Sequence, residues 1–204
     1  MADSKTILEP DKFYHVYNHA VGNELLFHSD RNYLFFLKKF KTYLFNYVDV
    51  YSYCLMPNHF HFIIKVKSES DIFDVHYNQN KNETINGGLV YEIVSRQFSN
   101  LFNCYAQAYN KENNRKGSLF VNRFKRKLIS DQKYLMKLIH YIHFNPVMAN
   151  LCKDLSEWKY SSYNAIVTNS NTLILRKQVI ELFESRNNFI YCHKEQPMIS
   201  GIEY

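Results

Sequence analysis

Aromatic and β-branched residues crowd KFYHVYNHAV, residues 12–21, and Gly22 and Asn23 close the run, which predicts a first strand. Over roughly 31–47 the pattern changes period. Tyr33, Leu34, Phe36, Leu37, Phe40, Tyr43, Leu44 and Tyr47 recur at helical spacing, with Ser29 or Asp30 as the cap. A second strand, Val48–Leu55, ends at Pro57, and MPNHFHFIIKVK, Met56 to Lys67, supplies a third. The polar stretch SESDIFDVHYNQNKNETINGG, residues 68–88, closes with Gly-Gly and predicts a mobile loop. Helical spacing returns over 90–110 through Val94, Phe98, Leu101, Phe102, Tyr105 and Tyr109. After Gly117, SLFVNRFKRKLI predicts a fourth strand, and Ser130 caps a helix over 131–145 that turns Leu135, Leu138, Ile139 and Ile142 inward. The order β-α-β-β-α-β, followed by a helix, predicts an α+β fold. It is the ferredoxin-like split β-α-β arrangement, an antiparallel sheet backed by helices. Residues 1–150 form the principal domain, and 151–204 an accessory tail with one helix near 173–185.

Composition narrows the function classes. The chain has 204 residues, 46% of them hydrophobic, with 17 Tyr and 16 Phe, enough for a packed core. No apolar run approaches the roughly 20 residues a membrane span needs, so no membrane partner is expected. The opening MADSKTILEPDK lacks the apolar stretch of a signal peptide. Cys54, Cys104, Cys152 and Cys192 lie far apart without a CxxC pair, which argues against a zinc ribbon or a disulfide framework. A cytoplasmic location follows as the simplest expectation. The net charge of +6 favours an anionic partner.

The most informative stretch holds two histidines two residues apart. On a strand, His59, His61, Ile63, Lys65 and Lys67 share one face, and Phe60, Phe62, Ile64 and Val66 the other. The phenylalanine side is the core face, so the histidine side is expected to be partly open. Residues i and i+2 sit about 6.6 Å apart along a strand, close enough for two imidazoles to hold one divalent ion. Two surface histidines on a half-exposed sheet would produce the same pair.

A second cluster lies at YIHFNPV, Tyr141 to Val147. In a helix, Tyr141 falls on the shoulder of the core stripe, and Asn145 lies one turn further along the same side. Tyr134, seven residues earlier, shares nearly that side. On the fourth strand Arg123, Lys125 and Lys127 share one face, a solvated charge run or a grip for an anionic backbone, while Arg126 falls on the apolar side.

Together these segments resemble one family. MPNHFHFIIKV is similar to the HUH motif (histidine, hydrophobic, histidine) of the single-tyrosine transposases. RFKRKLISDQKYLMKLIHYIHFNPVMANL resembles the tyrosine-bearing segment of their REP-associated group. FYHVYNHAVGNELLF and EWKYSSY also match, so the resemblance runs from about Phe13 to Tyr163. It implies that His59 and His61 bind a Mg²⁺ or Mn²⁺ ion, that Asn145 completes the site, and that Tyr141 is the nucleophile. Beside it, Tyr134 is the rival nucleophile, and Arg123, Lys125, Lys127 and Lys65 are the expected DNA contacts. The resemblance further implies a 5′-phosphotyrosine intermediate with single-stranded DNA bearing a hairpin, action in the bacterial cytosol near the nucleoid, and a monomer or homodimer. One departure is that Asn145 precedes Pro146, a context that disfavours helical backbone.

The chemistry agrees with that assignment. An ion on neutral ligands keeps its full charge and can polarise an anionic phosphodiester. Imidazole ligands favour Mn²⁺ by affinity, whereas abundance favours Mg²⁺. A tyrosyl ester conserves the bond energy for rejoining, which suits strand transfer better than degradation. Two rivals stand beside this reading: a domesticated, non-catalytic hairpin-binding protein, and a histidine–metal hydrolase of small phosphoesters. An intact His59, His61 and Tyr141 set argues against the first, and the basic strand against the second.

Overall fold

The structure, a computed structural model, describes residues 6–79, 90–121, 123–198 and 200. Its centre is an antiparallel sheet of β1 (Phe13–His19), β2 (Val48–Met56), β3 (His59–Val66) and β4 (Lys125–Ile129), in the order β2-β3-β1-β4. The connection from β1 to β2 passes through α1 (Asp30–Leu44) and leaves the space between them for β3. This is the expected α+β, ferredoxin-like split β-α-β sheet. The cap of α1 is at Ser29, where the Asn32 side chain accepts from the backbone N–H of His28 (3.0 Å) and of Ser29 (3.2 Å).

One face of the sheet carries the aromatic core. The Phe36 ring of α1 lies 5.2 Å from Phe60, and Phe40 stacks on Phe62 at 4.3 Å. From α3 (Val90–Glu112), Phe98 stacks on Phe124 at 4.9 Å. Each such ring is worth roughly 1.5–3 kcal/mol of burial.

The other face is not open. Helix α4 (Gln132–Met148) lies across it, so Ile63 is fully buried and His61 is 2% exposed. With both faces covered, β1 and β3 read as continuous buried runs rather than as alternating strands. The expectation of a partly open histidine face is therefore corrected. A strand period shows which residues share a face, not what packs on it.

Four boundaries also differ from the sequence reading. Within 68–88, expected to be a loop, Glu69–Gln79 is a helix (α2), with Ile72 and His76 buried one turn apart in a polar run. Residues 80–89 lie outside the described residues. The fourth strand begins at Lys125, not at Ser118. Ahead of it the backbone turns through Arg123 at φ 54°, and only an isolated bridge joins Ala20 to Phe120. Helix α4 is capped by Asp131, not Ser130; its carboxylate accepts from the backbone N–H of Lys133 and Tyr134. It also runs past Asn145 to Met148, although Pro146 cannot donate to the carbonyl of Ile142.

The tail holds a 3₁₀ turn (Leu155–Glu157), α5 (Tyr163–Val167), α6 (Arg176–Leu182) and α7 (Arg186–Cys192) in place of one helix near 173–185. Glu184, at φ 65°, separates α6 from α7. The tail follows the outer edge of β2. Leu55 N–H donates to the Tyr160 carbonyl (3.0 Å), Ser162 N–H to Tyr53 (2.9 Å) and Leu175 N–H to Val50 (3.0 Å). It thereby covers an edge that would otherwise offer unpaired backbone groups, and Tyr160, Ile166, Val179, Phe183 and Phe189 join the same core cluster. Among the described residues no helix is long and apolar enough to cross a membrane.

Candidate functional site

The covered sheet face brings His61 of β3 against Tyr141 of α4, with His59 beside it on the same strand. The His59 and His61 rings are 5.0 Å apart and nearly perpendicular, and the Tyr141 ring lies 6.3 Å from that of His61. Tyr141 is 3% exposed and donates its hydroxyl to Asn145 Oδ1 at 3.3 Å, while Asn145 Nδ2 donates to the Tyr141 carbonyl at 3.0 Å. The two helical residues thus orient each other across one turn. Tyr134 stands nearer the start of α4, with the Lys127 ammonium 5.2 Å from its ring centre. Its own hydroxyl is buried with no hydrogen-bond partner among the described residues.

Electrostatics keeps the imidazoles neutral. Burial first, and then the neighbouring His19, pulls His59 down to about 4. Burial, followed by His15, His59 and His19, holds His61 well below the ordinary histidine value. Neutral imidazoles are the form that binds a metal ion. Among the described residues no three His, Cys, Asp or Glu side chains form a metal-holding group. An ion at this place would rest on the His59 and His61 imidazoles and the Asn145 amide oxygen. That mixed donor set fits Mn²⁺ or Mg²⁺, which retain water and substrate oxygen ligands.

The basic residues divide. Lys125 pairs in register with Tyr17 and Lys127 with His15, so both stand on the histidine face, and the Lys125 ammonium lies 5.9 Å from the Tyr17 ring centre. Arg123 leaves that face. Its positive φ breaks the alternation, and its side chain lines a cleft with Asn18, Asn103, Phe120 and Phe124 instead. Arg126 stays buried, over the Phe124 ring and 3.3 Å from Ser95 Oγ. Lys65 sits at the far end of β3 and pairs with Asp11 at 2.8 Å, away from the histidines.

Comparison with known proteins gives a consistent direction. No protein-family model matches the chain. It is 24% identical over 111 residues to a Haemophilus influenzae protein described as a REP-associated tyrosine transposase, covering 54% of this chain and 56% of that one. The chain spans just over half the length of that curated relative. Its fold matches a solved structure described as a REP-associated tyrosine transposase bound to a REP hairpin. That match has a TM-score of 0.55 at 14% identity, over 83% of this chain and 87% of the other. The chain resembles the REP-associated tyrosine transposases.

For a chain resembling the REP-associated transposases, the residues missed by the sequence reading lie mainly on β1. His15, Tyr17 and His19 share the face of His59 and His61, in register with Ile63, His61 and His59. His15 Nε2 lies 2.9 Å from His61 Nδ1, and the His19 and His59 rings are 5.3 Å apart. Burial, then Lys127, lowers His15 to about 3. Their signal was present in KFYHVYNHAV, where His15, Tyr17 and His19 alternate. Before the neighbouring strand was known, nothing linked that alternation to His61. Asn58 was also missed, and its Oδ1 lies 2.7 Å from His59 Nδ1.

Two residues beyond Tyr141, His143 anchors α4. Its proton positions follow from its neighbours. The Phe189 carbonyl can only accept, so His193 donates from Nδ1 (2.8 Å) and accepts on Nε2 from His143 Nδ1–H (3.0 Å). His143 Nε2 then accepts from the hydroxyls of Ser162 (2.8 Å) or Ser52 (3.1 Å). This chain ties the tyrosine helix to β2 and to the tail.

Proposed function

We propose that this chain is a metal-dependent endonuclease and strand transferase. It cuts and rejoins hairpin-flanked single-stranded DNA through a phosphotyrosine at Tyr141, in the bacterial cytosol. The observation that carries the reading is a chain of contacts between distant segments. His59 neighbours His61 on one strand, His61 meets Tyr141, and Tyr141 bonds Asn145 on a helix about 80 residues later. The names of the relative and of the fold neighbour support the same class of DNA chemistry.

In this reading Tyr141 gives up its phenol proton to water and attacks the scissile phosphorus. The tyrosyl ester forms, and the bond to the 3′ oxygen breaks, that oxygen taking a proton from water to leave a 3′-hydroxyl. Asn145, 3.3 Å from the phenol, orients the attacking oxygen. Lys125 and Lys127 offer charge to the neighbouring phosphates. Bound Mg²⁺ or Mn²⁺ supplies charge that polarises the phosphodiester. Tyr141 and His61 approach within one chain, which supports a tyrosine acting in its own subunit.

A second reading, a non-catalytic hairpin binder, draws on the 3% exposure of Tyr141, since DNA must reach a hydroxyl buried between α4 and the sheet. One experiment separates the two. Incubation with single-stranded hairpin DNA and Mn²⁺ should give a denaturation-resistant adduct that Tyr141→Phe abolishes and Tyr134→Phe retains. Binding with no adduct in any variant leaves the non-catalytic reading. An adduct that persists in Tyr141→Phe overturns the assignment of the nucleophile.

A further inference from the structure

Both β3 histidines are held at the same ring atom. His59 Nδ1 lies 2.7 Å from Asn58 Oδ1, and His61 Nδ1 lies 2.9 Å from His15 Nε2. An imidazole that uses Nδ1 as a donor has its lone pair on Nε2, so the partner at Nδ1 decides which atom can bind a cation. For His59 the partner is an amide oxygen, which can only accept. For His61 it is a second imidazole, which can do either.

We propose that His15 is a positioning residue for the ion site, accepting the Nδ1 proton of His61 so that Nε2 is presented to the cation. The inference rests on the metal-dependent reading above and goes one shell beyond it. His15 is fully buried and stacks on Tyr17 at 4.7 Å. Its Nδ1 has no hydrogen-bond partner among the described residues, which leaves Nε2, toward His61, as its side-chain hydrogen-bonding atom. Its register partner on β4 is Lys127 and on β3 is Ile63, so the ring is fixed from both sides of the strand. At 2.9 Å one of the two nitrogens must donate and the other accept. If His15 donated, His61 would carry its proton on Nε2 and could not be a ligand through that atom.

The choice of residue has a chemical reason. Metal-bound histidines usually hand their second N–H to a carboxylate, a carbonyl or water. A carboxylate here would offset part of the cation's charge, and that charge is what acts on an anionic phosphodiester. An imidazole acceptor orients His61 while adding no charge.

Two measurements test the proposal. Calorimetric titration of the purified chain with Mn²⁺ should show binding weakened by about 10–100-fold in His15→Phe, which keeps a ring but no acceptor. His15→Gln, whose amide oxygen can accept, should recover part of that loss. Nitrogen-15 ring shifts of the Mg²⁺-loaded wild-type protein should place the His61 proton on Nδ1. Equal Mn²⁺ affinity in wild type and His15→Phe overturns the role of His15 alone. A His61 proton on Nε2 does the same even if His15→Phe fails to fold. A wild-type chain that binds no Mn²⁺ overturns the metal-dependent reading itself, and this inference with it.

Discussion

Moving the metal-free protein from about pH 7.5 to about pH 5 should remove a large part of its stability. The buried histidines decide this. Burial, then Lys127, lowers His15 to about 3, and burial, then His140, lowers His193 to about 3. In the unfolded chain both return to about 6.5. The folded state therefore takes up protons less readily than the unfolded one, and stability is complete above about pH 6.5. It declines from there down to about pH 3. At about pH 5, one and a half pH units below the unfolded value, each histidine has surrendered about 2 kcal/mol at about 1.4 kcal/mol per unit. Their partners His61 and His143 shift in the same direction and add to the roughly 4 kcal/mol from these two. Typical domain stability is about 5–15 kcal/mol. Urea unfolding followed by near-ultraviolet circular dichroism, with a chelator present, reads the loss directly. A His193→Gln variant should show a shallower acid slope, by close to one histidine's share. An unfolding free energy that is flat between about pH 7 and about pH 5 would refute the reasoning. So would a slope unchanged in His193→Gln.

Two further outcomes follow from named side chains. Asp131→Ala removes the side chain that accepts from Lys133 and Tyr134 N–H at the start of α4, and should cost about 1 kcal/mol in thermal or urea unfolding. Lys125→Ala with Lys127→Ala should lower the log–log salt slope of single-stranded DNA binding, measured by fluorescence anisotropy, by about 0.7 for each phosphate no longer neutralised. Arg123→Ala should leave that slope nearly unchanged, because Arg123 faces the cleft rather than the histidine face.

The aromatic face of the sheet was readable because local periodicity alone defines it. Phe60, Phe62 and Ile64 alternate on β3, and Phe36 and Phe40 recur at one turn on α1, so each element announces its buried side. Short-range chemistry was less reliable where two candidates stood side by side. Ser130 and Asp131 can both cap a helix, and the carboxylate takes the position because it accepts two backbone N–H groups at a positive helix end. The continuous strand read into SLFVNRFKRKLI failed at Arg123, whose left-handed backbone no residue-type preference announces. That one torsion moved Arg123 away from Lys125 and Lys127.

By itself the amino-acid pattern determined the order of the four strands and of the long helices α1, α3 and α4 among them, the shared strand face of His59 and His61, and the one-turn relation of Tyr141 to Asn145. Those are consequences of the 2.0 and 3.6 residue periods, which act over a few residues. Only the tertiary structure decided that α4 covers the histidine face, that His15 meets His61 across 46 residues of sequence, and that His143 is tied to Ser162 and His193. Such contacts depend on which strands become neighbours and which helix packs over them. The burial energy that makes those choices is summed over the whole core, so no short window of the chain contains it.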